Sequence, residues 1–287
     1  MVEGGRGRPK NAAHSRHKRP RLVGDLATLA LVFLLMGAVY FLPPDTSLAE
    51  AERTGALKVC VPQSYPPLVT TGGEHPGFDV ELVSEIADRL GLTLSLNRSP
   101  EMGKDFNPRN WRVNRAQCEI LAGGVVASVI TRSFLETVET GIETGWAIVS
   151  RPGQSLGSGL RVGVYPGLGG LDRLGLGSFL RQRGLRLVLR QSVDALQAGL
   201  EAGELDAVIT ESLSAQQLVR AHPDWQISWM PASLGRYPLS LGLWKGDLTL
   251  KRAVVAAMDE IEHSGVLAEL ENQYGLSGIQ TVAEFTP

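Results

Sequence analysis

Two cysteines, three histidines in the body of the chain and one glycine-rich loop are the residues whose chemistry can be weighed first. Cys60 and Cys118 sit in segments that read as adjacent strands, and an oxidising compartment would let them pair. Two buried free thiols are the alternative. His75, His222 and His263 stand alone without metal-ligand spacing, and no Gly-x-Ser-x-Gly elbow offers a nucleophilic serine. Pro166-Gly167-Leu168-Gly169-Gly170 follows a strand pattern and offers backbone N–H groups, those of Gly167 and Gly169 among them, to an anion. It lacks the Gly-Lys-Ser/Thr of a nucleotide P-loop, so a nucleoside triphosphate is not expected. Asn97-Arg98-Ser99 fits a glycosylation acceptor, a three-residue pattern of low specificity. These residues give an enzyme reading less support and suggest no metal or cofactor, and the loop offers an anion site.

The elements that must hold them alternate between short apolar strands and amphipathic helices, the signature of an α/β sheet. Strands are predicted at Leu57–Val61, Leu92–Leu96, Cys118–Gly124, Gly145–Val149, Leu160–Val164, Leu185–Arg190, Leu205–Thr210, Trp225–Trp229 and Tyr237–Trp244. Val80, Val83, Ile86, Ala87 and Leu90 recur at helical spacing over Asp79–Leu90, with Asp79 as the expected N-cap and Gly91 as the stop. Further helices are expected around Ser178–Gln182, from Ser192 to Ala202, over 212–221, over Leu248–His263 and over Val266–Tyr274. The polar stretch 99–116 reads as a long functional loop. Arg151–Gly159 reads as a linker.

The chain has 287 residues, 43% hydrophobic and 20% charged, which excludes a disordered or collagen-like protein. At this length two lobes are expected rather than one core. The formal charge of −2 is a sum of opposites. Residues 1–25 carry seven Lys/Arg against Glu3 and Asp25, whereas the chain beyond residue 51 carries 21 basic against 26 acidic residues. No basic patch remains for nucleic acid.

The basic flank precedes an uncharged run at 26–42, closed by Pro43 and Pro44. That pattern directs export and keeps residues 1–25 in the cytoplasm. Residues 1–51 therefore read as a basic n-region with a signal peptide, cleaved at the small-x-small site Ala49-Glu50-Ala51, or as an uncleaved anchor to the inner membrane. Cys60 follows Leu57-Lys58-Val59 and lacks the small residue expected before a lipidated cysteine. The body is expected in the periplasm.

Six stretches carry a resemblance: 55–69 (GALKVCVPQSYPPLV), 77–92 (GFDVELVSEIADRLGL), 118–124 (CEILAGG), 160–170 (LRVGVYPGLGG), 192–212 (SVDALQAGLEAGELDAVITES) and 239–276. In this order they resemble the periplasmic solute-binding proteins of family 3, the receptors of polar amino-acid ABC importers. The resemblance implies two Rossmann-like α/β lobes joined by two crossovers, the type 2 periplasmic binding protein fold. One lobe would be discontinuous, 55–150 plus 234–287, and the other would span 153–230. A protein of this kind would be a monomer, with a small polar solute and the membrane permease of an importer as partners. The two cysteines also resemble a side branch found with quinoprotein dehydrogenases, which would make a periplasmic dehydrogenase the partner. A cyclohexadienyl-dehydratase-like enzyme occurs on the same fold, and is the catalytic alternative.

By the resemblance, Arg132 would clamp the ligand carboxylate through its guanidinium fork, beside Gly124 and Ser128, or else would be a solvated surface arginine. Glu211 stands where the family holds the ligand ammonium with an aspartate; the alternative is an acidic helix N-terminus. Tyr65 would cover the ligand or pack as a turn residue on Pro66. Gly167 and Gly169 would line the anion side.

Overall fold

The computed structural model describes residues 21–40, 44–72, 75–154, 157–165 and 171–276. Contacts divide the chain into residues 1–44 and residues 45–287. In the first unit, α1 runs over Arg21–Tyr40, with Leu26, Phe33 and Leu34 exposed. No helix among the described residues is long and apolar enough to cross a membrane. The uncharged part of α1, residues 26–40, rises about 22 Å against a hydrocarbon core of about 30 Å. The membrane anchor expected at 26–42 is therefore not supported; Phe41 and Leu42 lie outside the described residues.

The body opens with α2 (Ser47–Thr54) and β1 (Ala56–Pro62), followed by α3 (Phe78–Arg89) and β2 (Thr93–Ser99). Next come β3 (Ile120–Val126), the one-and-a-half-turn α4 (Val129–Phe134) and the long β4 (Leu135–Ser150). The chain continues through β5 (Arg161–Val164), α5 (Arg173–Gln182), β6 (Arg186–Leu189), α6 (Val193–Glu201), β7 (Ala207–Glu211) and α7 (Ser212–Ala221). It ends with β8 (Gln226–Trp229), β9 (Arg236–Trp244), α8 (Leu248–His263) and α9 (Val266–Tyr274).

The strands join in the order β2-β1-β3-β9-β4-β7-β5-β6, with β8 also on β4. Strands linked by helices pair in parallel, as β1 does with β2 and β3, and β5 with β6 and β7. β3 and β7 are buried along their whole length, as expected of central strands covered on both faces. β4 is the hinge between two strand groups: Leu135–Gly145 lie opposite β9, and Trp146–Ser150 lie opposite β7 and β8. The chain returns between Trp229 and Arg236, where the Met230 N–H donates to the Trp146 carbonyl at 2.9 Å.

The Cys60 and Cys118 thiols form a disulfide, with Cα atoms 5.5 Å apart. It ties β1 to the residues entering β3 inside a small apolar cluster with Met102, Trp111, Leu121 and Trp244. The loop 99–116 folds back on this cluster: Trp111 is buried and its indole N–H donates to the Asp105 carbonyl at 2.8 Å.

Candidate functional site

Three buried polar side chains lie within electrostatic range of one another, two of them from the first strand group and one from the second. Tyr65 comes from the turn after β1, Asp79 from the first turn of α3, and Glu211 from the end of β7. Each is at least nine-tenths buried.

The glycine pair in β3 explains how Asp79 is placed. The β3–β9 register breaks between Leu121 and Val125, so the strand bulges at Ala122–Gly124 and its N–H groups leave the ladder. Asp79 Oδ2 accepts from the Gly123 N–H at 2.6 Å and from the Gly124 N–H at 3.2 Å. Asp79 is thus not the N-cap expected from the sequence, a position that Gly77 occupies. Gly124 has φ +90°, and a Cβ there would lie 2.2 Å from Tyr65 Cε1, so only glycine lets the tyrosine ring seat against the bulge.

Asp79 Oδ1 and the Tyr65 hydroxyl have no hydrogen-bond partner among the described residues. An unpaired buried polar atom costs roughly 1–3 kcal/mol, so such a pair marks a place for a polar guest. Burial pushes the Asp79 carboxyl up to about 6, against the lowering effect of the two glycine N–H groups. Burial also raises the Tyr65 hydroxyl well above its usual range, and the charges of Glu211 and Asp79 raise it further, which places both carboxylates within its electrostatic reach.

The raised Asp79 value has a defined consequence for stability. A carboxyl with a higher pKa folded than unfolded leaves stability intact below about 3.8 and lowers it as pH rises towards 6. Asp79→Asn keeps an oxygen acceptor for both glycine N–H groups and has no charge. Between pH 4 and 6 the wild type should lose about 2 kcal/mol relative to Asp79→Asn, out of about 3 kcal/mol over the whole titration. Parallel denaturation profiles across that range would show that Asp79 does not titrate as described.

Glu211 makes two sets of contacts. Its Oε2 accepts from the Ser214 N–H at 3.2 Å and caps α7, the acidic helix N-terminus weighed from sequence. Its Oε1 accepts from the Thr144 hydroxyl and from the Ser212 hydroxyl at 3.1 Å. Burial raises its pKa, opposed by these hydrogen bonds. The Leu213 N–H is a further donor to the carboxylate, so four donors, two hydroxyls and two N–H groups, engage its roughly four acceptor sites.

The other expected residues are placed differently. Ser128 caps α4, its hydroxyl accepting from the Thr131 N–H at 3.1 Å. Arg132 lies in the last turn of α4, about half exposed, and its Nη2 donates to Glu139 Oε1 at 2.8 Å. Tyr65, Gly124 and Glu211 are therefore brought together, whereas the Arg132 guanidinium is held at the surface. Gly167 and Gly169 lie outside the described residues. Asp79, Thr144 and Ser212 belong to the cluster, and nothing in the sequence marks them as binding residues. Their only sequence signals are an acid inside GFDVEL and hydroxyls beside Glu211 or at a crossover. Among the described residues no group of three His, Cys, Asp or Glu side chains could hold a metal ion.

Two α/β lobes with buried carboxylates and a tyrosine hydroxyl at their junction make up the architecture of a two-lobed solute-binding protein. The sequence profile of the bacterial extracellular solute-binding proteins, family 3, matches residues 57–277, and the chain belongs to that family. The L-cystine-binding protein TcyJ of Escherichia coli (strain K12) is 25% identical over 246 residues, covering 79% of this chain and 85% of its own. The membrane-bound lytic murein transglycosylase F of Pseudomonas syringae pv. syringae (strain B728a) is 24% identical over 270 residues. That alignment covers 89% of this chain, which spans about half (51%) of the transglycosylase. The L-cystine solute receptor of Neisseria gonorrhoeae, in its unliganded open conformation, shares the fold with a TM-score of 0.62 at 17% identity, covering 79% of this chain and 96% of that one.

Proposed function

We propose that the protein is an extracytoplasmic receptor that closes over a small amino-acid-like solute and presents it to the permease of an ABC importer. The two lobes would be 55–150 with 234–287, and 153–230. The observation that carries this reading is the unpartnered, buried Tyr65 hydroxyl within reach of Glu211 and Asp79. Glu211 takes the ligand ammonium through the charge of its buried carboxylate, an ammonium displacing one of the hydroxyl donors, and Tyr65 covers the bound solute. Ligand contacts from both lobes are what make closure favourable, because a solute shifts the equilibrium only by its preference for the closed state. The cystine receptors among the relatives support an amino acid as the solute class. No observation on the site favours a dehydrogenase accessory or a dehydratase.

The ligand carboxylate is assigned to Arg132, with Ser128, Gly167 and Gly169 as the further binding residues that the family resemblance implies. The Arg132–Glu139 pair is exposed on both sides, and such pairs are worth only about 0–1 kcal/mol, so a ligand carboxylate displaces Glu139 at small cost. Calorimetry on the full chain against the L-amino acids, cystine included, tests this. A binding amino acid at one hundred times its dissociation constant should stabilise the protein by about 2.7 kcal/mol. Arg132→Ala should then weaken binding by about 2–5 kcal/mol. An unchanged affinity would remove Arg132 from the site, and the absence of any binding amino acid would remove the proposed solute class.

A further inference from the structure

The helix that starts the last part of the body has no cap of its own. Asp247 precedes α8 but its side chain makes no capping bond, and its carboxylate is engaged by Arg115 instead. The first N–H groups of a helix need acceptors from elsewhere, and here they come from some two hundred residues upstream. Asp45 Oδ2 accepts from the Thr249 N–H at 2.6 Å, and Ser47 Oγ accepts from the Leu250 N–H at 3.3 Å. The Ser47 and Thr249 hydroxyls are 3.0 Å apart, and the Leu48 N–H donates to Thr249 Oγ1 at 3.3 Å.

Asp45 serves both helices at once, because its Oδ1 also accepts from the Ser47 N–H, at 2.9 Å, at the start of α2. Burial would raise the Asp45 carboxyl, but hydrogen bonds from Ser47 and Thr249 outweigh it and hold the carboxyl well below its ordinary value. Ala51 is fully buried in the main core, and Leu48 packs against the same core. Gly55, with φ +67°, then turns α2 directly into β1. The compact body begins at Asp45.

We propose that Asp45–Thr54 is a permanent element of the mature receptor, the cap of α8, and that the exported chain is not shortened after Ala51. Cleavage at Ala49-Glu50-Ala51 would remove both caps of α8 and leave a hole in the core where Ala51 sits. Any processing of the leader falls at or before Asp45.

The test is intact mass and N-terminal sequencing of the protein exported by a bacterial host carrying the full chain. An N-terminus at or before Asp45, the unprocessed chain included, is the expected result. Folded protein beginning at Glu52 would overturn the proposal. A second measurement addresses the caps: Asp45→Ala with Ser47→Ala should lower the melting temperature by roughly 4–8 °C. The exposed Glu52→Ala on the same helix should leave it unchanged. A double variant that melts with the wild type would also overturn the proposal.

Discussion

Glu211→Gln should weaken solute binding by about 2–5 kcal/mol while leaving the fold intact or slightly more stable. The loss in binding follows from pairing: a ligand ammonium drawn into this site faces a neutral amide, and a buried charge deprived of its partner costs about that much. The effect on stability has the opposite sign. Burial raises the Glu211 carboxyl, so the folded protein holds the charged form less easily than the unfolded chain does. The amide removes that penalty and still offers an oxygen to the Ser214 N–H or to the Thr144 hydroxyl. Calorimetry and thermal melting on the same preparation separate the two roles. Lost affinity with a maintained melting temperature assigns Glu211 to the ligand. Retained affinity with a lowered melting temperature reduces it to the cap of α7.

The same residue shows what could be read from the sequence and what could not. The end of β7 and the start of α7 are legible because an apolar run gives way to Ser212 and a helical pattern. An acid at that junction is a visible candidate. Its partner Thr144 is not legible, because the contact spans 67 positions and depends on how β4 lies beside β7. Asp79 is misread for a related reason. An acid before an apolar run is the ordinary sign of an N-cap, and only the bulge at Gly123 and Gly124 supplies the competing donors that turn it inward.

The elements follow the same logic. The helix expected at Asp79–Leu90 forms as α3 over Phe78–Arg89, where an apolar stripe at helical spacing has no competing reading. The first half of β4, from Leu135 to Thr144, is missed because its alternating Glu and Thr residues resemble a loop; pairing with β9 makes it a strand. α4 has six residues, too few to show a helical period. α2 is hidden inside what reads as leader, since the acceptors it offers α8 are long-range and leave no local trace. Arg132 illustrates the limit most directly: its position in the chain matches a ligand clamp, while its guanidinium pairs with Glu139 seven residues on.

Replacing both cysteines, Cys60→Ala with Cys118→Ala, should lower the unfolding free energy by about 4 kcal/mol, on the loop-closure account of a cross-link. The bond joins residues 58 apart in sequence, so it removes many unfolded conformations. Alanine is chosen because both sulfurs lie in an apolar cluster, where serine would leave buried hydroxyls needing partners. The strand pairing around the bond does not depend on it. Val59 and Cys60 already lie opposite Ile120 and Leu121, the Glu119 N–H donates to the Lys58 carbonyl at 2.8 Å, and the Lys58 N–H donates to Glu119 Oε2 at 2.8 Å. The variant should therefore fold and keep its cleft, with the loss appearing as an earlier denaturant midpoint at an affinity close to that of the wild type. Wild-type protein treated with a thiol reductant in denaturant, then refolded under reducing conditions, should match the variant. A midpoint unchanged by both treatments would mean that the bond does not limit the unfolded chain. A loss of binding that accompanies the loss of stability would mean that the bond also positions Tyr65, which follows β1 by three residues.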